Sequence, residues 1–274
     1  MAASRADLLV ELGAGNMSKT ALLLCSLDRH LHSPLIYYAL DVDRAQLERS
    51  LAQLEERTNL RWIKLRGLLG TYDDGAKWLA CPERSRFRTT LVWLGTSIAN
   101  CEQQAASQLL EAFAKDPKTG RPRNLSGVLV LVDGCQDITQ IKLAYDIPSG
   151  ESRRWMMNGL SATRHYLRGG NDNSEVDKLL ADENWRFEGH WHPERQRFEN
   201  YFVSNRRLEG TIRGHQIRID EGERIGILGS GKWSEATMSS VAAKAGLRIS
   251  KAWFEDEFNY GESPSLWFHS RNTF

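Results

Sequence analysis

The 274-residue sequence has no apolar run of the roughly 18 residues that a membrane-spanning helix requires, and residues 1–7 lack the basic and apolar regions of a secretory leader. A cytoplasmic protein is expected. An excess of charge is also missing: 36 basic residues stand against 35 acidic ones, a formal net charge of +1. Without a basic stripe, the chain carries no electrostatic footprint for nucleic acid or an anionic membrane. Cysteine is sparse, and Cys25, Cys81, Cys101 and Cys135 stand far apart without a CxxC pair. The seven histidines are scattered too, His190 and His192 reading as packing on a strand, so no zinc site, other metal or disulfide framework is expected. Internal repeats and low-complexity segments are absent. A small molecule is the expected partner.

What is present begins at Leu8. Residues 8–12 form a short apolar run suited to a strand buried on both faces of a parallel sheet. Gly13 and Gly15 follow, opening the backbone to close approach by a ligand. Asn16 and Ser18 are candidate caps for a helix that starts near Met17 and turns Leu22, Leu23, Leu24 and Leu27 inward, placing amide donors at the turn. A second strand over 36–41 ends at Asp41, where a βαβ unit sets a carboxylate over a pair of ribose hydroxyls. Three readings share this turn. Glu11 with the short Gly-Ala-Gly resembles the first motif of class I S-adenosylmethionine-dependent methyltransferases; a nicotinamide or flavin site would show a third glycine where Ser18 stands; and a tight turn needs no ligand.

Five apolar strands are expected, over 8–12, 36–41, 61–69, 90–94 and 127–133, with amphipathic helices over 44–57 and 102–115. Their alternation predicts an α/β fold with a doubly wound, mostly parallel sheet. The breaker-rich stretch 115–124 reads as a surface loop without chemistry. Beyond Asp133 the pattern changes: a helical region over 138–167, a polar loop over 169–174, hairpin arms over 185–192 and 197–204, a strand over 216–228 and a helix over 234–245. The tail through Trp253 and 266–269 supplies the last antiparallel strands. The expected division is a cofactor-binding core over 1–137, a smaller α+β substrate-binding elaboration over 138–231, and a segment completing the core over 232–274.

Several strings in order carry a further signal: Val10-Glu-Leu-Gly-Ala-Gly15 with Lys19-Thr20, Tyr38-Ala-Leu-Asp41, Gly70-Thr-Tyr-Asp-Asp74, Leu94-Gly-Thr-Ser-Ile-Ala-Asn100, Val132-Asp-Gly-Cys-Gln-Asp137, Ala144-Tyr-Asp146, Asn158-Gly-Leu160 and Gly222-Glu-Arg-Ile225. Together they resemble, nearly end to end, the histidine-specific methyltransferase family, which includes ergothioneine-pathway histidine methyltransferases and the fungal N-methyltransferase of ergot alkaloid synthesis. The resemblance implies a Rossmann-like class I methyltransferase fold, S-adenosylmethionine as methyl donor, S-adenosylhomocysteine as product, and no metal. It places Gly13, Gly15 and Lys19 on the methionine and ribose side of the donor, Asp41 on the ribose hydroxyls, and Thr71 and Tyr72 beside the adenine. Asn100 and Tyr145 match the residues that hold the amino and carboxylate groups of an amino-acid substrate. Ser230 and Lys232 fall where the pocket for its side chain is shaped.

Structural roles compete for the same residues. Asn100 is a candidate N-cap, Tyr145 a packed aromatic, Lys19 a solvated helix lysine, and Asp73 and Asp74 suit capping better than acid–base work. Two departures from the family pattern bear on function. The family's glutamate two residues before the pocket serine, which holds the imidazole, corresponds here to Leu228, so an indole or another apolar side chain is favoured over histidine. Family members also carry an N-terminal helical segment over the pocket, whereas this sequence reaches its turn by Gly13, so part of the lid is expected to be missing. The implied activity is methylation of the α-amino group of an amino acid or derivative, tryptophan-like or histidine. The alternatives are a non-catalytic or lid-truncated S-adenosylmethionine-binding relative and an NAD-type Rossmann oxidoreductase.

Overall fold

A computed structural model describes residues 6–145, 150–168, 174–253 and 265–270. Its contacts divide the chain into two units, Met1–Gly134 with Trp233–Phe274, and Cys135–Lys232.

The first unit opens with β1 (Leu8–Leu12), α1 (Ser18–Asp28), β2 (Leu35–Asp41), α2 (Arg44–Arg57), β3 (Ile63–Leu69), α3 (Tyr72–Leu79), α4 (Pro82–Ser85), β4 (Thr89–Trp93), α5 (Gln103–Ala114) and β5 (Leu125–Leu131). The five strands are parallel, in the spatial order β5-β4-β1-β2-β3. Successive side chains leave a strand on opposite faces, so a sheet covered on both faces needs apolar residues at consecutive positions. Leu9 and Tyr37 accordingly join Leu24, Leu27, Leu47 and Leu54 in one cluster, while Val10, Leu12 and Leu40 join Leu110 and Phe113 in another. Helix α2 starts where the Asp43 carboxylate accepts the Gln46 amide at 2.9 Å, and it buries Leu47 and Leu54 seven residues apart on its inner face.

The second unit contains α6 (Ile138–Tyr145), α7 (Glu151–Arg168), α8 (Ser174–Leu179), β6 (Trp185–His192), β7 (Arg197–Ser204), β8 (Leu208–Ile212), β9 (His215–Ile219) and β10 (Arg224–Gly231). An antiparallel sheet runs β10-β7-β6, and β8 and β9 form a separate hairpin. The hairpin arms over 185–192 and 197–204 form as the alternation predicts. The single strand expected over 216–228 does not. A turn closed by the Glu223 amide on the Asp220 carbonyl at 3.1 Å, with Gly222 at φ 78°, divides it into β9 and β10. Strand β8 gives little signal in sequence because Glu209 and Gly210 interrupt its apolar pattern.

The chain then returns to the first unit through α9 (Glu235–Lys244), β11 (Leu247–Trp253) and β12 (Ser265–Ser270). Strand β12 lies antiparallel between β5 and β11, which completes a seven-stranded sheet. Residues 169–173 of the expected polar loop, Asp146 and residues 1–5 lie outside the described residues. No helix among the described residues is long and apolar enough to cross a membrane.

Candidate functional site

In the first unit, the carboxyl ends of β1 to β4 share one edge of the parallel sheet, and the strand order reverses between β1 and β4. Open α/β sheets bind ligands at such an edge. Here it carries Gly13 and Gly15 after β1, Asp41 at the end of β2, Thr71 and Tyr72 after β3, and Asn100 after β4.

Gly13 and Gly15 take left-handed conformations, with φ 70° and 54°. The Gly15 amide donates to Asp41 Oδ2 at 3.0 Å, and the Asp43 amide donates to Oδ1 at 3.1 Å. Both carboxylate oxygens are thus held from behind, and each retains lone-pair capacity. One expectation is corrected. The Gly13 and Ala14 amides bond the Leu40 carbonyl at 3.0 and 3.2 Å, so the turn offers a ligand nearness rather than an array of open donors. A second correction concerns α1, whose N-cap is Met17 at φ 54° without a side-chain cap bond. Asn16 instead accepts the Ser18 amide at 3.1 Å.

Beneath the turn, the carboxylate of Glu11 is buried and accepts from Thr20 Oγ1, at 2.9 and 2.8 Å to its two oxygens, and from the Tyr37 hydroxyl. Burial pushes its pKa up to about 7, against the lowering effect of the Tyr37 and Thr20 hydrogen bonds. Beside the turn, Tyr72 packs edge-on against Trp93 at 4.9 Å. Its hydroxyl lies 3.2 Å from Ser97 Oγ, which accepts from Trp93 Nε1 at 2.7 Å. Burial raises the Tyr72 pKa. Thr71 is the N-cap of α3, and a reciprocal capping box joins it to Asp74. Asp74 therefore begins a helix that the turn-like string conceals. Lys19 is exposed on α1. Asn100 closes a short 3₁₀ turn, Ser97–Asn100, and the N-cap residue of α5 is Glu102.

In the second unit, Leu228, Ser230 and Lys232 follow one another at every second position and pass along one face of β10 and its extension. Ser230 lies opposite Phe198 of β7, and Leu228 opposite Asn200. Tyr145 stacks on Phe198 with ring centroids 4.5 Å apart. Its hydroxyl donates to Ser230 Oγ at 2.9 Å and accepts from Lys232 Nζ at 2.9 Å. Lys232 is 4% exposed, and its ammonium also sits 4.8 Å from the Tyr145 ring centroid. The Lys232 backbone is pinned on both sides, its amide to the Gln196 carbonyl at 2.7 Å and its carbonyl by Gln136 Nε2. Three residues named from sequence, up to 87 positions apart, are thus one hydrogen-bonded cluster.

Sequence reasoning did not name Thr20 and Tyr37 as the partners of Glu11, nor Trp93 and Ser97 as those of Tyr72. The β1–β2 register, which sets Glu11 opposite Ala39 and so near Tyr37, is the signal for the first group. Phe198 was hidden because a strand phenylalanine reads as core.

A family model described as histidine-specific, S-adenosylmethionine-dependent methyltransferase matches residues 1–263. The chain belongs to this family. Its fold is the Rossmann-like class I methyltransferase fold, and its cofactor is S-adenosylmethionine. The cradle suits that group: a Cβ built on Gly15 meets nothing within 4 Å, while the anchored Asp41 carboxylate beside it keeps lone pairs for vicinal hydroxyls. Among relatives, N-methyltransferase imqF of Aspergillus flavus is 35% identical over 260 residues, covering 94% of this chain and 67% of that protein. Ergothioneine biosynthesis protein 1 of Neurospora crassa is 31% identical over 248 residues, 90% of this chain and 26% of that protein. L-tryptophan methyltransferase trpM of Psilocybe serbica is 27% identical over 272 residues, 92% of this chain and 70% of that protein. S-adenosylmethionine-dependent N-methyl transfer is thus the activity to which the methyltransferase family and these relatives point.

Proposed function

We propose that this methyltransferase transfers a methyl group to the α-amino nitrogen of an amino acid or close derivative whose side chain is largely apolar. The supporting observation is the cluster of Tyr145, Ser230 and Lys232 beside Leu228, at positions that the family resemblance gives to substrate. Relatives named for tryptophan methylation and for ergothioneine biosynthesis support an amino-acid substrate.

The Gly15–Asp41 cradle would hold S-adenosylmethionine, which when bound would supply an electrophilic methyl group on a sulfonium, with the sulfur as leaving group and the amine proton passing to solvent. The protein's part is positioning. In this reading Asp41 holds the ribose hydroxyls, and Gly13 and Gly15 allow close approach along the methionyl chain. Lys19 flanks the turn, and Thr71 and Tyr72 border the adenine. The family resemblance gives Asn100 and Tyr145 the amino and carboxylate groups of the substrate. Leu228 offers no partner to a protonated imidazole, and a buried charge or donor without a partner is costly, which favours an aromatic or apolar side chain over histidine.

The test is incubation of the purified protein with methyl-labelled S-adenosylmethionine and a panel of amino acids, with fragmentation mass spectrometry to place the label. Label on the α-nitrogen of at least one aromatic amino acid is expected. Cofactor binding without label on any α-amine would sink the reading.

A further inference from the structure

At the amino-terminal edge of the parallel sheet, opposite the edge that carries Gly13, Gly15 and Asp41, a cavity of about 250 Å³ opens where β4 and β5 begin. Leu79, Phe87 and Leu125 give it an apolar wall, and Thr89, Arg84 and Arg123 bring polar groups to it. Thr89 is 1% exposed, and its hydroxyl has no hydrogen-bond partner among the described residues. Such a hydroxyl costs stability. Along β4 it alternates in step with Leu91 and Trp93, which pack with Leu79 of α3, so its side chain leaves the sheet on the side where Leu79 lines the cavity.

The two arginines lack a charge partner. Arg123 donates to the carbonyls of Lys115, Ala76 and Ala112 at 2.9, 3.2 and 3.2 Å. Arg84 donates to the Trp78 carbonyl at 3.3 Å, with its guanidinium 4.3 Å from the Trp78 ring centroid. Those acceptors are neutral, and among the described residues neither guanidinium is ion-paired with a carboxylate. A guanidinium has five donors, so both retain N–H groups. Asp116 also lines the cavity, but its Oδ1 is engaged within its own turn by the Lys118 and Thr119 amides and the Thr119 hydroxyl, at 3.0, 2.8 and 3.0 Å. Burial lowers the Arg123 pKa against the raising effect of Asp116, so the enclosed cation is under-compensated.

We propose that this cavity is a second ligand site, for a small monocarboxylate with a compact apolar body, its carboxylate taking donors from Arg84, Arg123 and Thr89 and its body lying against Leu79, Phe87 and Leu125. The volume is below the roughly 300–1,000 Å³ of sites for drug-sized ligands, which limits the body to about one ring. A bare inorganic anion would leave the apolar wall unfilled, and a neutral molecule would leave the two cations without a counter-charge.

Titration of the isotope-labelled protein with benzoate, its neutral isostere benzamide, and acetate, read by amide chemical-shift changes, tests this. Benzoate is expected to shift the amides of Ala80, Phe87 and Thr89 and to saturate below about 10 mM, with benzamide and acetate each weaker by roughly fivefold or more. Thr89→Val removes the hydroxyl and nearly keeps the shape. It should weaken benzoate roughly three- to tenfold while raising the unfolding temperature of the ligand-free protein by about 2 °C or more, because an unpaired hydroxyl has been removed. Arg84→Met should weaken benzoate by roughly tenfold or more, with S-adenosylhomocysteine binding retained as the mark of a folded protein. Should that variant fail to fold, Arg84→Lys keeps the charge without the planar fork, and an intermediate loss is expected. A lowered unfolding temperature in Thr89→Val would show that the hydroxyl is already paired, and benzamide binding as tightly as benzoate would show that no charge is recognised; either overturns the proposal. So would shifts confined to Tyr145 and its neighbours, which would put the acid in the amino-acid cluster, or no shifts at all, which would leave the cavity to water.

Discussion

Tyr37 on β2 donates its hydroxyl proton to the carboxylate of Glu11 on β1, in the buried layer beneath the glycine turn. The strand that forms the cofactor turn therefore carries an acid whose pKa is pushed up to about 7 by burial, from 4.5 in the open chain.

The folded state then holds a proton that the unfolded state releases, so this group's contribution to stability is fully present below pH 4.5 and is lost as pH rises through about 7. Glu11→Gln, which carries no titrating proton, should flatten that part of the profile. Urea unfolding of both proteins at intervals between pH 4.5 and 8 should show the wild type losing on the order of 3 kcal/mol relative to the variant. Parallel profiles would refute the assignment.

Asp41 holds the Gly15 amide and lies over the proposed ribose site. Asp41→Ala should weaken S-adenosylhomocysteine binding by roughly 10- to 100-fold, the scale of one or two charge-assisted hydrogen bonds. Isothermal calorimetry measures it, and an unchanged affinity would place the cofactor elsewhere.

A Cβ on Gly13 would fall 2.8 Å from the Tyr72 hydroxyl oxygen but 3.8 Å from the ring carbon that bears it. Gly13→Ala should therefore destabilise by about 1–3 kcal/mol, through its positive φ as well as this collision. In a Tyr72→Phe background the collision is removed and only the backbone strain remains, so a double-mutant cycle should give a non-zero coupling. Simple additivity would show that the two groups do not meet.

Gly189 faces the ring that carries Tyr145. Its missing Cβ would lie 2.4 and 2.7 Å from two carbons of Phe198, a fully buried side chain with no room to retreat. Gly189→Ala should raise the amino-acid KM severalfold by disturbing the Phe198–Tyr145 stack, with cofactor affinity unchanged, since Gly189 and the Gly15–Asp41 cradle belong to different units. Equal losses in both parameters would indicate general unfolding instead.

The parallel core was legible because its signals are local. A strand buried on both faces is a continuous apolar run, as at Leu8–Leu12, and the glycines that follow it have a backbone requirement visible in the residues themselves. The hairpin of β6 and β7 was readable by alternation. Helix α3 was not, because its capping box and a turn use the same Thr-x-x-Asp chemistry, and the interrupted stretch of β8 to β10 was misread because a single apolar pattern spans a reversal at Gly222.

Local sequence thus determined the glycine turn, the position of Asp41 26 residues beyond Gly15, and the succession of strands and helices, since each depends on backbone sterics or on burial within a short segment. Tertiary structure alone decided which amides of the turn remain available, why Glu11 holds a proton near neutrality, and that Tyr145, Ser230 and Lys232 form one hydrogen-bonded cluster. Those properties belong to groups distant in sequence, and a hydrogen bond's partner or a carboxyl's proton affinity is set by what lies within a few ångströms once the chain has folded.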